Sequence, residues 1–140
     1  MKRITPEEAK ELNQNFVKTR SKKLNKIVEE EEGHPHEKDA ISSWFSLDEI
    51  KEYIAYVEKQ GKEKGIDING LRVYFGSYGA KDKKTANKGL STVFFVPTKA
   101  RVGAKLKGEL VSVDGNADVD GIDGMNSGGL GQPPSATYPQ

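Results

Sequence analysis

Residues 46–64, "SLDEIKEYIAYVEKQGKEK", constrain the fold most, because they specify a helix at its start, along its inner face and at its end. Ser46 followed three residues later by Glu49 is a capping box, and Phe45 with Ile50 fits the hydrophobic staple around it. Ile50, Tyr53, Ile54 and Val57 recur at helical spacing, while Glu49, Lys51, Glu52, Glu58 and Lys59 lie elsewhere on the surface. Gly61 or Gly65 should end the helix. One apolar stripe must be buried against something, and the neighbouring apolar segments carry the period of strands. Leu71, Val73 and Phe75 alternate with Arg72 and Tyr74. After a polar loop, "LSTVFFVPT" predicts a strand over Leu90 to Val96, stopped by Pro97. Before the helix, "AISSWF" predicts a short strand from Ala40 to Phe45. The result is a β-α-β-β core over 40–113, with the helix on one sheet face and a right-handed crossover. "ELVSV" supplies one further strand.

Outside this core the signals differ. Thr5, Pro6 and Glu8 in "ITPEEAKEL" form another capping box, with proline at the first helical position. Ala9, Leu12, Phe16, Leu24, Ile27 and Val28 continue a helical stripe that Arg20 interrupts, giving an amino-terminal helix over 1–33. "EEEEG" should end it, fraying because four glutamates oppose the helix dipole. "HPHEKD" is a linker. The segment 114–140 is rich in Gly, Asp, Ser and Pro without apolar periodicity, and predicts a flexible acidic tail. The fold class is therefore α+β.

Composition narrows function by exclusion. Apolar residues make up 34% and charged residues 31% of the 140, a lean supply that predicts a core shorter than the chain. The net charge of +1 leaves no global field for a polyanion, so attraction to nucleic acid would need a local patch. With no cysteine there are no disulfides, thiolate metal sites or cysteine nucleophiles. No apolar run approaches the ~18 residues of a membrane span. "MKRITPEEAKELN" lacks the apolar segment of a signal peptide, so the expected location is cytoplasmic.

The blocks "SSWFSLDEIKEYIAYVEKQGKEKG", "GLRVYFGSYG" and "STVFFVPT" together resemble a group of small bacterial proteins, and "PPSATYPQ" is similar to their ending. No activity is established for that group. The resemblance implies domain limits and no catalytic residue.

Several constellations carry possible chemistry. His34 and His36, flanked by Glu32, Glu37 and Asp39, are ligand types for zinc or nickel, but without enforced geometry the favoured reading is a solvated linker. Asn116, Asp118 and Asp120 before Gly121 follow the first positions of a calcium loop, but the twelfth position is Ser127 rather than a bidentate glutamate. Asp123 is the substitute ligand, and the ordinary alternative is an acidic tail that takes no cofactor. Arg72, Tyr74 and Tyr78, with Phe94 or Phe95 from the neighbouring strand, place aromatics on the sheet face away from Leu71. Lys81, Lys83 and Lys84 add a basic hairpin loop. Such a face could stack bases and hold phosphates, or receive a protein, or pack against the first helix. Strand order and motif spacing do not match an RNA-recognition domain. Ser42, Ser43, Ser46 and Ser77 lack a G-x-S-x-G elbow, and Gly89 lacks the phosphate-loop pattern.

The expected function is a non-enzymatic binding or adaptor domain for a protein partner or a second copy of itself. A nucleic-acid-binding module using the aromatic strands and basic loop is the alternative. A small metal-dependent enzyme using His34 and His36 comes last.

Overall fold

Thr5 opens the first helix as its sequence requires. Its hydroxyl accepts the Glu8 N–H at 3.1 Å, and the Glu8 carboxylate accepts the Thr5 N–H at 2.7 Å, satisfying two donors that a helix start leaves free. The computed structural model describes residues 1–30, 38–81, 86–101, 105–106, 109–110, 115–126 and 135–140. Helix α1 spans Pro6–Phe16 and passes through a π-helical turn, Val17–Ser21, into α2, Lys22–Glu30.

The π turn resolves the interruption at Arg20. A wider turn absorbs one extra residue and so advances by one position the sequence that meets a given helix face. Ala9, Asn13 and Phe16 are partly buried before the turn, and Ser21, Leu24, Asn25 and Val28 are buried or partly buried after it. An unbroken α-helix would bring Arg20, Lys23 and Ile27 to that face instead. Arg20 is exposed, and Ile27 is 56% exposed. Residues 31–37, where the helix was expected to end, lie outside the described residues.

Two units divide the described chain. The first comprises Met1–Trp44, Phe75–Val93 and Ser127–Gln140, and the second Phe45–Tyr74 and Phe94–Asn126.

In the first unit the expected strand from Ala40 to Phe45 does not form, and Ser43 alone takes part in a β-bridge. At the start of the segment, side chains take the backbone donors. Asp39 gives its N–H to Asn25 Oδ1 at 2.9 Å, and the Ala40 N–H goes to Asp39 Oδ1 at 2.8 Å. Ala40 and Leu90 are buried together. Leu90 follows Gly89, whose φ of 69° suits a residue without Cβ. Gly89 N–H bonds to Tyr78 C=O and Tyr78 N–H to Leu90 C=O, each at 3.0 Å. Two residues therefore face one, a glycine-type β-bulge at the base of the hairpin.

In the second unit α3 spans Leu47–Lys64, begins with the Ser46–Glu49 capping box and ends at Gly65 in the left-handed conformation. Strands β1, Gly70–Ser77, and β2, Ser91–Ala100, extend across the division between the units; β3, Lys105–Leu106, and β4, Glu109–Leu110, pair with each other, and β5 is Asn116–Asp118. The main sheet has the order β1-β2-β5. Tyr53 and Val57 of α3 bury against Val119 and Ile122, with Ile66, Ile68, Leu71, Phe95 and Met125 around them. Ile54, expected on the inner face, is 40% exposed.

Pro97 does not stop β2, which continues to Ala100. Its carbonyl accepts the Val119 N–H at 2.9 Å, so the donor it lacks would have faced Val119. There the partner chain leaves the ladder, returning only where Phe95 and Met125 exchange hydrogen bonds. The prolyl gap and the loop coincide.

The segment expected to be a flexible tail also differs. Thr98, Lys99 and Ala100 pair with Asp118, Ala117 and Asn116, and Val119 and Ile122 are 4% and 5% exposed. Residues 115–126 thus complete the sheet and its core. The first two residues of "ELVSV" lie in β4, while Val111 to Asp114 and 127–134 lie outside the described residues.

Candidate functional site

Strand alternation sends Leu71, Phe95 and Val119 toward α3, leaving Arg72 and Tyr74 of β1, Phe94 of β2, and Asn116 and Asp118 of β5 for the opposite face. Those residues meet. The Tyr74 and Phe94 rings stack with centroids 5.4 Å apart and planes 20° apart. Arg72 reaches across β2, donating from Nη1 to Asp118 Oδ1 at 2.5 Å and from Nη2 to the Asn116 carbonyl at 2.8 Å. The Tyr74 hydroxyl donates to Asp118 Oδ2, and Arg72 Nη1 lies 3.4 Å from that hydroxyl. At the end of the face, Asn69 Nδ2 donates to Asn116 Oδ1 at 2.7 Å and Asn69 Oδ1 accepts from the Thr98 hydroxyl at 2.9 Å.

The electrostatics follow from that geometry. The hydrogen bond with Tyr74 and then the charge of Asp118 hold the Arg72 pKa above its ordinary value, so the guanidinium stays charged while its field is met by a carboxylate. The side chains of Arg72 and Asp118 are 37% and 35% exposed, and Tyr74 is 36% exposed. The face is a half-open, internally neutralised patch of one arginine, one carboxylate and two stacked rings.

Two sets of residues that the sequence offered for different purposes therefore come together. Arg72 and Tyr74, read as binding residues, are joined to Asn116 and Asp118, read as metal ligands. The alternate spacing of Asn116 and Asp118 is the period of a strand. Asp120 and Asp123 lie in the loop beyond it, where the Asp123 carbonyl accepts the Tyr53 hydroxyl at 3.1 Å. Among the described residues no three His, Cys, Asp or Glu side chains gather into a group that could hold a metal ion. Tyr78 belongs to the first unit, where its backbone forms the bulge, and Lys81 is exposed near the hairpin turn. Lys83, Lys84, His34 and His36 lie outside the described residues. Among the described residues no helix is long and apolar enough to cross a membrane.

Sequence reasoning left open which phenylalanine joins Tyr74; the stack with Phe94 settles it, while Phe95 meets Phe45 edge-on at 5.1 Å. Asn69 was missed. Its position just before Gly70 at the strand start was the available signal.

The chain matches no protein-family model, no curated protein and no solved structure.

Proposed function

We propose that this protein is a non-enzymatic binding domain that recognises a protein partner through the Arg72–Tyr74–Phe94–Asp118 face of its sheet. The pairing of Arg72 with Asp118 carries the reading. A platform for nucleic acid needs cations left free to replace phosphate counterions, and the cation of this face is already matched. Arginine beside stacked, half-exposed aromatic rings is instead the composition of protein–protein hot spots, where lysine is depleted. The partner this chemistry suits presents a flat, uncharged surface with an apolar or aromatic side chain to lie on the rings. Hydrogen-bonding groups on that surface would meet the free lone pairs of Asp118 and Asn116.

A photo-crosslinking residue at Val96, which lies half-buried on the same face, tests the reading in the whole chain, with the same probe at exposed Lys59 on α3 as control. A discrete protein adduct from Val96, absent from Lys59 and persisting at about 0.5 M salt, is expected, since screening at that ionic strength suppresses exposed charge contacts. An adduct at twice the chain's mass would identify the partner as a second copy. Adducts to nucleic acid, or the same adducts from both positions, would overturn the proposal.

A further inference from the structure

Helix α1 and the C-terminal segment flank an open surface cleft of about 480 Å³ where α1 gives way to the π turn. Lys10, Gln14 and Lys18 line one wall at i, i+4 and i+8, hence on one helix face, with Val17 beside them. Thr137, Tyr138 and Pro139 form the other wall. That wall is fastened to the first unit by named bonds. Asn13 Oδ1 accepts the Tyr138 N–H at 3.0 Å, and Gln140 Nε2 donates to Ser42 Oγ at 3.1 Å. Among the described residues no carboxylate side chain lines the cleft, and Lys10 and Lys18 are its charged side chains. Val17, the Tyr138 ring and Pro139 offer apolar surface, and Gln14 and Thr137 offer hydrogen bonds.

We propose that this cleft binds a small amphiphilic anion, a carboxylate or phosphate monoester carried on an apolar body about the size of one aromatic ring. Its volume falls in the range of small-molecule sites, and polar and apolar groups share its lining about equally, as an amphiphilic ligand requires. Lys10 and Lys18 receive the anionic head, and Val17, Tyr138 and Pro139 cover the ring. Lysine donates as a compact point charge and serves either head group. The π turn, a helical form found often at functional sites, begins at this wall with Val17 and Lys18. The site lies within the first unit and is independent of the sheet face proposed above for a protein partner.

Titration of the full-length ¹⁵N-labelled chain with phenylacetate, phenyl phosphate and neutral phenylacetamide tests the proposal. Saturable amide shifts centred on Lys10, Gln14, Val17, Lys18, Thr137 and Tyr138 are expected for at least one anion at a Kd of about 1 mM or tighter. The tighter of the two anions identifies the head group. Phenylacetamide should bind at least about tenfold more weakly, and the Lys10→Gln/Lys18→Gln protein should lose the anion by a similar factor. Both lysines are exposed, so the variant's thermal melt should match the parent's and exclude misfolding as the cause. Absence of saturation with both anions, equal binding of the amide, or an unaffected double variant would each overturn the assignment.

Discussion

Asp39 is 3% exposed, and its carboxylate accepts three hydrogen bonds: the Ala40 N–H at 2.8 Å, the Ser91 N–H at 2.6 Å and the Ser91 hydroxyl at 2.5 Å. Asp39→Ala therefore strands three donors at once. Each donor buried without a partner costs about 1–3 kcal/mol, with the lower value suited to the two partly buried groups of Ser91. Relief of the carboxylate's own desolvation offsets part of this, which leaves a net loss of about 3 kcal/mol. In a chain of this length that corresponds to roughly 10 °C in Tm. Asp39→Asn separates shape from charge. One amide oxygen can still accept both N–H groups, and the Ser91 hydroxyl can rotate to accept from the amide nitrogen, so only charge assistance is lost, about 1 kcal/mol. Urea unfolding of the parent, both variants, Ser91→Ala and the Asp39→Ala/Ser91→Ala double variant measures these terms. The double variant should lose less than the two single losses together, because both remove the bond from the Ser91 hydroxyl to Asp39. An Asp39→Ala protein within about 0.5 kcal/mol of its parent would refute the clamp, since no arrangement of three stranded donors is that mild.

Tyr53→Phe removes a hydroxyl that donates to the Asp123 and Phe95 carbonyls at 3.1 and 3.3 Å, and should cost about 1 kcal/mol in urea unfolding. Burial, then Tyr56 and Asp123, raise the Tyr53 pKa, so the neutral form is the one the fold favours. The stability difference from Tyr53→Phe should hold below about pH 10 and shrink as pH rises through the raised value. Glu49 behaves oppositely, its pKa lowered by the Ser46 N–H and then the Ser46 hydroxyl. The advantage of the parent over Glu49→Gln, followed by helix circular dichroism, should be present at neutral pH and fade below about pH 4. Gly61→Ala should gain about 1 kcal/mol of helix propensity. A Cβ at Gly61 meets Ile68 Cγ1 at 2.6 Å and the Ile66 carbonyl at 2.7 Å, however, so thermal melts should show a net loss of about 1–3 kcal/mol.

The features readable in advance are those whose partners lie close in sequence. Both capping boxes join residues three apart, Gly65 ends its own helix, and the alternation of Leu71 to Phe75 is local to β1. The features that were not readable depend on distant partners. Asp39 meets Ser91 across 52 positions and Arg72 meets Asp118 across 46, so a metal-ligand type and a calcium-loop spacing were the only local signals those aspartates gave. The π turn is intermediate. Arg20 marked a break in the stripe, yet a break in period reads equally as an exposed charge or as an inserted residue, and only the burial of Ser21 in place of Arg20 distinguishes them.

The segment from Asp114 onward shows why composition misleads at this scale. Averaged over 27 residues its apolar content is too low to offset the entropy of ordering, but ordering does not need the average. Val119 and Ile122 are each almost fully buried, worth about 1.5–3 kcal/mol apiece, and the adjoining backbone bonds to Pro97 and Phe95 spare them from acting alone. The glycine that looked like a source of flexibility acts as a packing element. A Cβ on Gly124 would come within 2.8 Å of the Phe95 carbonyl, so the chain can lie over β2 only because that side chain is missing. The aspartates likewise serve the sheet: Asp118 anchors Arg72, and the Asp123 carbonyl receives Tyr53. A polar, glycine-rich segment can therefore close a small core when two aliphatic side chains enter it and the remaining polar groups find partners on the sheet they cover.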